Sequence, residues 1–458
     1  MNSYEENQRD ENDNPEAWKF ILQKAYMMGI GMATGAYDLF VINFVMLILS
    51  NQYDIGPWES SLVATASLLG TFSGQIIFGF MGDLIGRKRS SLLTCTLLFV
   101  GAIGSGAITY SFGSYYLALY CMIAFWRFLI GIGIGGEYPV TAIFTSESCP
   151  KSIQNKRGTY IASMFSAQGL GNVIAASSFL FLIVLFKSQL DLVWRTALML
   201  GAIPPLFIFY PRFKAQEPPR FEAAARTKPD VRKIVKIYWK NLIGTAGTWF
   251  LFDIVFYGNS LFSGPILAAV GIGSETGWLG IADNVAYNIV ISIMALPGYW
   301  TAAFLIDRVG RKPLQLFGFA MMSIIYITIG LTYHWISQIS WLFVSFYALS
   351  YFFANAGPNT TTFVIPTETY PTVVKSTCYG LSAASGKLGA IFGSFFLKPL
   401  LNATSPVVIF LLCGFCSILG FVVTWFFTKE TRYVDLEQLD EEAEVLIRKE
   451  SMAINDLE

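Results

Sequence analysis

About twelve apolar stretches run through this chain of 458 residues, each near the roughly 20 residues a helix needs to cross a bilayer. Their approximate limits are 25–50, 60–82, 90–111, 115–146, 158–185, 192–210, 240–264, 285–306, 313–333, 339–367, 377–400 and 405–428. Backbone inside lipid must satisfy its own polar groups, which stretches of this length do as helices. The expected fold is therefore an all-α polytopic membrane protein with twelve transmembrane helices. Charged residues make up only 14% of the chain, against about 25% in soluble domains. Basic and acidic residues balance at 31 each, which leaves no basic footprint for nucleic acid. The six cysteines are scattered in or beside apolar stretches, away from metal-ligand spacing, so no metal or other cofactor is expected. The first twenty residues are polar and acidic, and no removable signal peptide is expected there.

A basic, proline-rich stretch after the sixth apolar segment divides the chain. The expected parts are a tail over 1–24, a six-helix half over 25–210, a linker over 211–239, a second six-helix half over 240–428 and a tail over 429–458. Matching charges recur in the two halves. Gly82-Asp83-Leu84-Ile85-Gly86-Arg87-Lys88 follows the second segment, and Ile306-Asp307-Arg308-Val309-Gly310-Arg311-Lys312 follows the eighth. Glu147 after the fourth segment is echoed by Glu368 after the tenth, and Glu217 by Glu430. Duplicated halves of this kind characterise transporters with a site at the repeat interface. With the amino terminus inside, inner loops carry about 19 Lys and Arg and outer loops about 3 (Lys187, Arg195, Lys398), which places both termini in the cytoplasm. Asp83, Arg87, Glu147 and Arg157 in one half, with Asp307, Arg311 and Glu368 in the other, then stand at the cytoplasmic ends of spans. They are expected to form a gate of ion pairs that holds the inner side shut, each exposed pair contributing about 0–1 kcal/mol.

Inside the fourth segment, Gly131–Glu147 reads GIGIGGEYPVTAIFTSE. Gly131, Gly135 and Gly136 free one helix side for close packing, and Glu137 puts a carboxylate at membrane depth, which marks a functional position. Together with the duplicated loops, with WFLFDIVFYG at Trp249–Gly258 and with the passage Phe352–Ile391, this motif resembles the major facilitator superfamily. More narrowly, the chain resembles its phosphate:proton symporter family. That resemblance implies two six-helix halves of the major facilitator fold, no enzymatic chemistry, and inorganic phosphate and protons as the transported species across a plasma membrane. Related carriers of glycerophosphodiesters or other organic anions share the architecture, and a phosphate sensor without flux is a further alternative.

The seventh segment repeats Trp249, Asp253 and Tyr257 at i, i+4 and i+8, one helical face. An acceptor carboxylate thereby stands between an indole N–H and a hydroxyl, a mixture suited to dihydrogen phosphate, which both donates and accepts. Gln168 and Asn172 lie one turn apart on the fifth segment, and Asn359 follows Pro358 where a broken helix frees backbone groups. By resemblance, Tyr138, Gln168, Trp249, Asp253, Tyr257 and Asn359 contact phosphate, while Asp38 and Glu137 serve the proton path. Lys387 is a buried cation expected to pair with Asp38 in the empty site. Arg127 lies too far along the helix to be the close partner of Glu137 and reads as a structural charge. The family often has Asp before this Tyr; the longer Glu137 is expected to reach further toward the cavity.

Overall fold

Ten helices among the described residues are long and apolar enough to cross a membrane. In this computed structural model the described residues are 15–53, 57–109, 116–187, 189–218, 221, 231–260, 263–268 and 277–455. Residues 1–14 of the expected amino-terminal tail and most of 219–230 in the expected linker lie outside them. The first six spans are Met28–Ser50, Thr65–Ile85, Arg87–Ala107, Tyr116–Glu147, Ser152–Phe186 and Leu190–Lys214. The eighth, ninth, eleventh and twelfth are Trp278–Val309, Arg311–Ile336, Lys375–Leu397 and Pro406–Phe427.

The seventh and tenth spans are interrupted, and each break has a local cause. Val231–Leu242 passes through a π turn at Ile243–Gly247 into Thr248–Ser260. Ser340–Ala354 passes through a π turn at Asn355–Asn359 into Thr360–Thr369. Pro358 supplies no N–H there, and Gly357 leaves helical geometry at φ −124°, ψ −106°. Three consecutive threonines take up carbonyls around the break. Thr360 Oγ1 donates to Asn355 O at 2.7 Å, Thr361 Oγ1 to Gly357 O at 3.0 Å and Thr362 Oγ1 to Pro358 O at 2.7 Å. The sequence TTT is thus what makes a bent backbone tolerable inside a bilayer.

Within the first half, the second and fourth spans pack closest. A Cβ on Gly131 would stand 3.0 Å from Gly70 Cα, and one on Gly135 2.9 Å from Gln75 N, so the expected small-residue contact is made here. The halves meet where the second span packs on the eleventh and the fifth on the eighth. Gly79 and Gly380 let the first of these pairs approach, since a Cβ on either would lie 2.8–3.1 Å from the other's Cα.

The duplicated loops fold alike. Gly86 adopts φ 97°, ψ 165° and Gly310 φ 108°, ψ 163°, a region essentially reserved for glycine. In each half a distant glutamate then caps the next helix. Glu217 accepts from Arg87 N and Lys88 N, and Glu430 from Arg311 N and Lys312 N, all at 3.0 Å. The sixth helical segment, Ile203–Lys214, runs past the expected linker boundary at 211. The end of the bundle that carries these loops is its basic end.

Candidate functional site

Asp253, Tyr257 and Lys387 form the centre of the interface between the halves. Lys387 Nζ donates to Asp253 Oδ2 at 2.8 Å and to Tyr257 OH at 3.0 Å, and lies 5.3 Å from the centre of the Tyr138 ring. The seventh span delivers Asp253 and Tyr257 one turn apart to the same cation, as their spacing implies. Trp249, one turn earlier, packs against Tyr138 and Tyr379. From the first half, Tyr138 OH donates to Gln168 Oε1 at 3.2 Å. Gln168 Nε2 donates across the interface to Tyr299 OH at 3.4 Å, and Asn359 Nδ2 reaches the same hydroxyl at 3.0 Å. Asn359 also donates to Asn355 Oδ1 at 2.8 Å. The structure therefore brings all six expected binding residues into one buried cluster joined by Lys387 and Tyr299. On the side away from the basic end, a cavity of about 60 Å³ borders it, lined by Asn43, Asn172, Ser260, Asn288, Tyr299 and Asn355 among others.

Two expectations about charges are corrected. Lys387 does not pair with Asp38; it is taken by Asp253 and Tyr257. The Asp38 carboxylate faces Gly201, at the bend of the sixth span, within the first half. Both its oxygens are buried and lack hydrogen-bond partners among the described residues. Arg127 is its neighbour, donating through Nη2 to the Asp38 backbone carbonyl. Glu137, finally, turns away from the interface. Arg212 Nη1 and Nη2 meet its two oxygens at 2.6 and 2.7 Å, and Thr94 and Thr141 hydroxyls donate at 2.5 and 3.1 Å. The longer side chain reaches this pair rather than the cavity, because Tyr138, the next residue on the helix, occupies the interface side.

The basic end holds the expected charges, in a different arrangement. Arg87 forks onto Glu147 at 3.0 and 3.1 Å, and Arg311 onto Glu368 at 2.8 and 2.9 Å. Both forks stay inside one half, so relative motion of the halves would not break them. Arg87 Nη2 also reaches Thr372 O of the other half, at 3.3 Å, and the other crossing contacts come from elsewhere. Asp83 accepts from the backbone N–H groups of Ser376 and Thr377 at 3.3 and 2.8 Å and from the Thr377 hydroxyl at 2.8 Å. Asp307 accepts from Thr159 N at 2.6 Å. Each loop aspartate thus caps a helix start of the opposite half, where partial positive charge favours it. Arg157 adds a direct crossing pair with Glu368 at 3.1 Å. These groups are buried rather than exposed, so the low value expected of surface pairs does not describe them.

Sequence reasoning missed Arg212, Tyr299 and Asn355. Arg212 sits in a cluster of basic residues at the end of an apolar stretch, where Lys and Arg are ordinarily topogenic. Tyr299 and Asn355 carry no distinguishing spacing of their own. Asn355 does lie one turn before Asn359, the same i, i+4 relation used for Gln168 and Asn172.

Comparison with known proteins agrees with this fold. The family model described as Major Facilitator Superfamily matches residues 28–394. Inorganic phosphate transporter 1-11 of Oryza sativa subsp. japonica is 33% identical, with 94% of this chain and 89% of that protein covered. Low affinity inorganic phosphate transporter 5 of Petunia hybrida is 33% identical, covering 91% and 90%. Probable inorganic phosphate transporter 1-6 of Arabidopsis thaliana is 33% identical, covering 93% and 94%. Among solved structures, a proton:xylose symporter bound to 6-bromo-6-deoxy-D-glucose superposes with a TM-score of 0.75 at 17% identity, covering 93% of this chain and 99% of the other. The inward open conformation of the E. coli xylose transporter gives 0.65 at 20% identity, covering 92% and 99%. The fold is shared with the sugar carriers, whereas the sequence lies with the phosphate carriers: the chain is a multi-pass membrane protein of the major facilitator superfamily and belongs, within it, to the family of the inorganic phosphate transporters.

Proposed function

We propose that this protein imports inorganic phosphate together with protons by alternating access, at the plasma membrane, with both termini and the basic end in the cytoplasm. Its two bodies are the six-helix halves 25–210 and 240–428. The observation that carries the reading is the buried Lys387–Asp253–Tyr257 group at their interface. Dihydrogen phosphate needs a cation, and Lys387 is the one ammonium bonded into this cluster among the described residues; Asp253 neutralises it. A proton on Asp253 removes that competition and gives the carboxyl a donor for a phosphate oxygen. Proton and anion then enter together, with no net charge added to a buried site. Tyr138, Gln168, Trp249, Tyr257 and Asn359 supply the remaining donors and acceptors. Asp38, beside Arg127, and Glu137, held by Arg212, are the further acidic groups along the proton path. The small bordering cavity fits a compact anion better than a glycerophosphodiester.

Uptake of labelled phosphate into proteoliposomes under an imposed inward proton gradient tests this. Uptake should vanish when the gradient is collapsed, persist in excess unlabelled glycerophosphodiester, and be lost in Asp253→Asn. Gradient-driven entry of the labelled diester without phosphate entry would assign an organic phosphate instead. Phosphate binding with no flux would make the protein a sensor.

A further inference from the structure

A second, larger cavity lies within the first half, at the basic end and away from the interface cluster. It encloses about 550 Å³, inside the range of about 300–1,000 Å³ usual for small-molecule sites. Its walls come from the first, third, fourth, fifth and sixth spans, and most are apolar, among them Ile30, Val140, Phe144 and Phe207. Two cations, Lys88 and Arg212, stand on the same wall system. Arg212 is offset by Glu137. Lys88 makes no ion pair among the described residues; its ammonium rests 5.7 Å from the centre of the Phe213 ring. The hydroxyl residues Ser91, Thr141 and Tyr160 complete a polar side. Ile30 is 36% and Phe207 71% exposed, and Ile203, Leu206 and Tyr210 beside Phe207 are exposed without lining the cavity, which continues this flank onto the outer surface. In a membrane that surface meets acyl chains, so the cavity lies against the lipid between the first and sixth spans.

An unoffset cation at the level of lipid headgroups, next to apolar walls that reach the lipid-facing flank, matches the chemistry of an amphipathic anion. We propose that this cavity binds one anionic phospholipid from the leaflet at the basic end, its phosphate against Lys88 and Arg212 and its acyl chains leaving past Ile30 and Phe207. Free phosphate shares the head chemistry, but it leaves the apolar walls uncovered, whereas an acyl chain fills them by van der Waals packing. The site also touches the shell of a buried carboxylate. Thr141 and Arg212 line the cavity and are both hydrogen-bond donors to Glu137. A lipid phosphate that draws on Arg212 therefore loosens one partner of Glu137, which ties occupancy to the state of that acid.

Native mass spectrometry of the full chain, purified in detergent with phosphatidylserine or phosphatidylcholine added, tests the assignment. One phosphatidylserine should remain bound where phosphatidylcholine does not, and millimolar inorganic phosphate should leave it in place. Lys88→Ala removes the unoffset cation and should lower occupancy about fivefold, the effect of one basic residue beside an anionic lipid. Ile30→Trp blocks the mouth without touching a charge and should lower it as well; size-exclusion profiles establish that both variants are folded. Equal retention of the two lipids, or unchanged occupancy in both variants, overturns the proposal. Displacement by inorganic phosphate overturns it too, and assigns the cavity to the free anion.

Discussion

Glu137 is held by side chains from the third and sixth spans and by Thr141 of its own helix, so each hydrogen-bonding position of a buried carboxylate has a donor nearby. Removing the cation alone would leave that charge uncompensated, a change that costs about 3–5 kcal/mol for buried pairs. Arg212→Ala should accordingly lower the thermal midpoint in detergent, and Glu137→Gln added to it should recover much of the loss. A melting curve for Arg212→Ala that matches the unaltered protein would show that the pair carries no such weight. Lys387 and Asp253 permit a sharper separation of fold from function. Lys387→Met strands Asp253, whereas Lys387→Met with Asp253→Asn strands nothing, so the double variant should be the more stable of the two and equally unable to take up phosphate. The carboxylates themselves were legible in the sequence, since few residues at membrane depth are ionisable, and the i, i+4, i+8 face of Trp249, Asp253 and Tyr257 follows from helix geometry. Their cationic partners were not. Which lysine or arginine answers which acid is decided by packing between helices distant in sequence, and a basic residue at the end of a span looks like any topogenic charge.

At the scale of an element, the two Gly-Arg-Lys loops and their glutamate caps are one device built twice. The positive φ of Gly86 and of Gly310 lets the chain turn sharply from one span into the next, and the following helix starts against Glu217 or Glu430. An alanine at Gly310 would sit in a region where a side chain costs about 1–3 kcal/mol, and its Cβ would also crowd the Glu430 carboxylate. Gly310→Ala should therefore destabilise the protein by at least that amount in thermal unfolding, and Gly86→Ala, in the equivalent position against Glu217, by a similar amount. A large loss in one and none in the other would mean that the two loops are not equivalent in energy. The duplication was readable because the same residue types recur at the same offsets. The π turns were not, because they depend on how the bent seventh and tenth spans fit their neighbours; only Pro358 and the following threonines announce one of them.

For the whole molecule, the arrangement of crossing contacts decides what can move. The Arg87–Glu147 and Arg311–Glu368 forks belong to single halves and would travel with them, while the caps that Asp83 places on the eleventh helix and Asp307 on the fifth must let go for the basic end to open. The duplicated loops marked these aspartates as candidates for a gate, but did not give their partners, because backbone N–H groups at a helix start leave no trace in composition. Each clasp is a charge-assisted cap, and such hydrogen bonds contribute about 1.5–3 kcal/mol when formed. Asp83→Asn keeps the shape and removes the charge, so it should weaken closure of the basic end without unfolding either half. The protein carries its own reporter, since Cys378 follows Thr377 directly and is buried in the closed arrangement. Labelling of Cys378 by a thiol reagent, resolved from the other cysteines by peptide mass spectrometry, should be slow in the unaltered protein and several-fold faster in Asp83→Asn, with phosphate uptake reduced in parallel. Reduced uptake with unchanged labelling would separate Asp83 from closure, and would move the gate to the other charged links between the halves, the Asp307 cap on Thr159 and the Arg157–Glu368 pair.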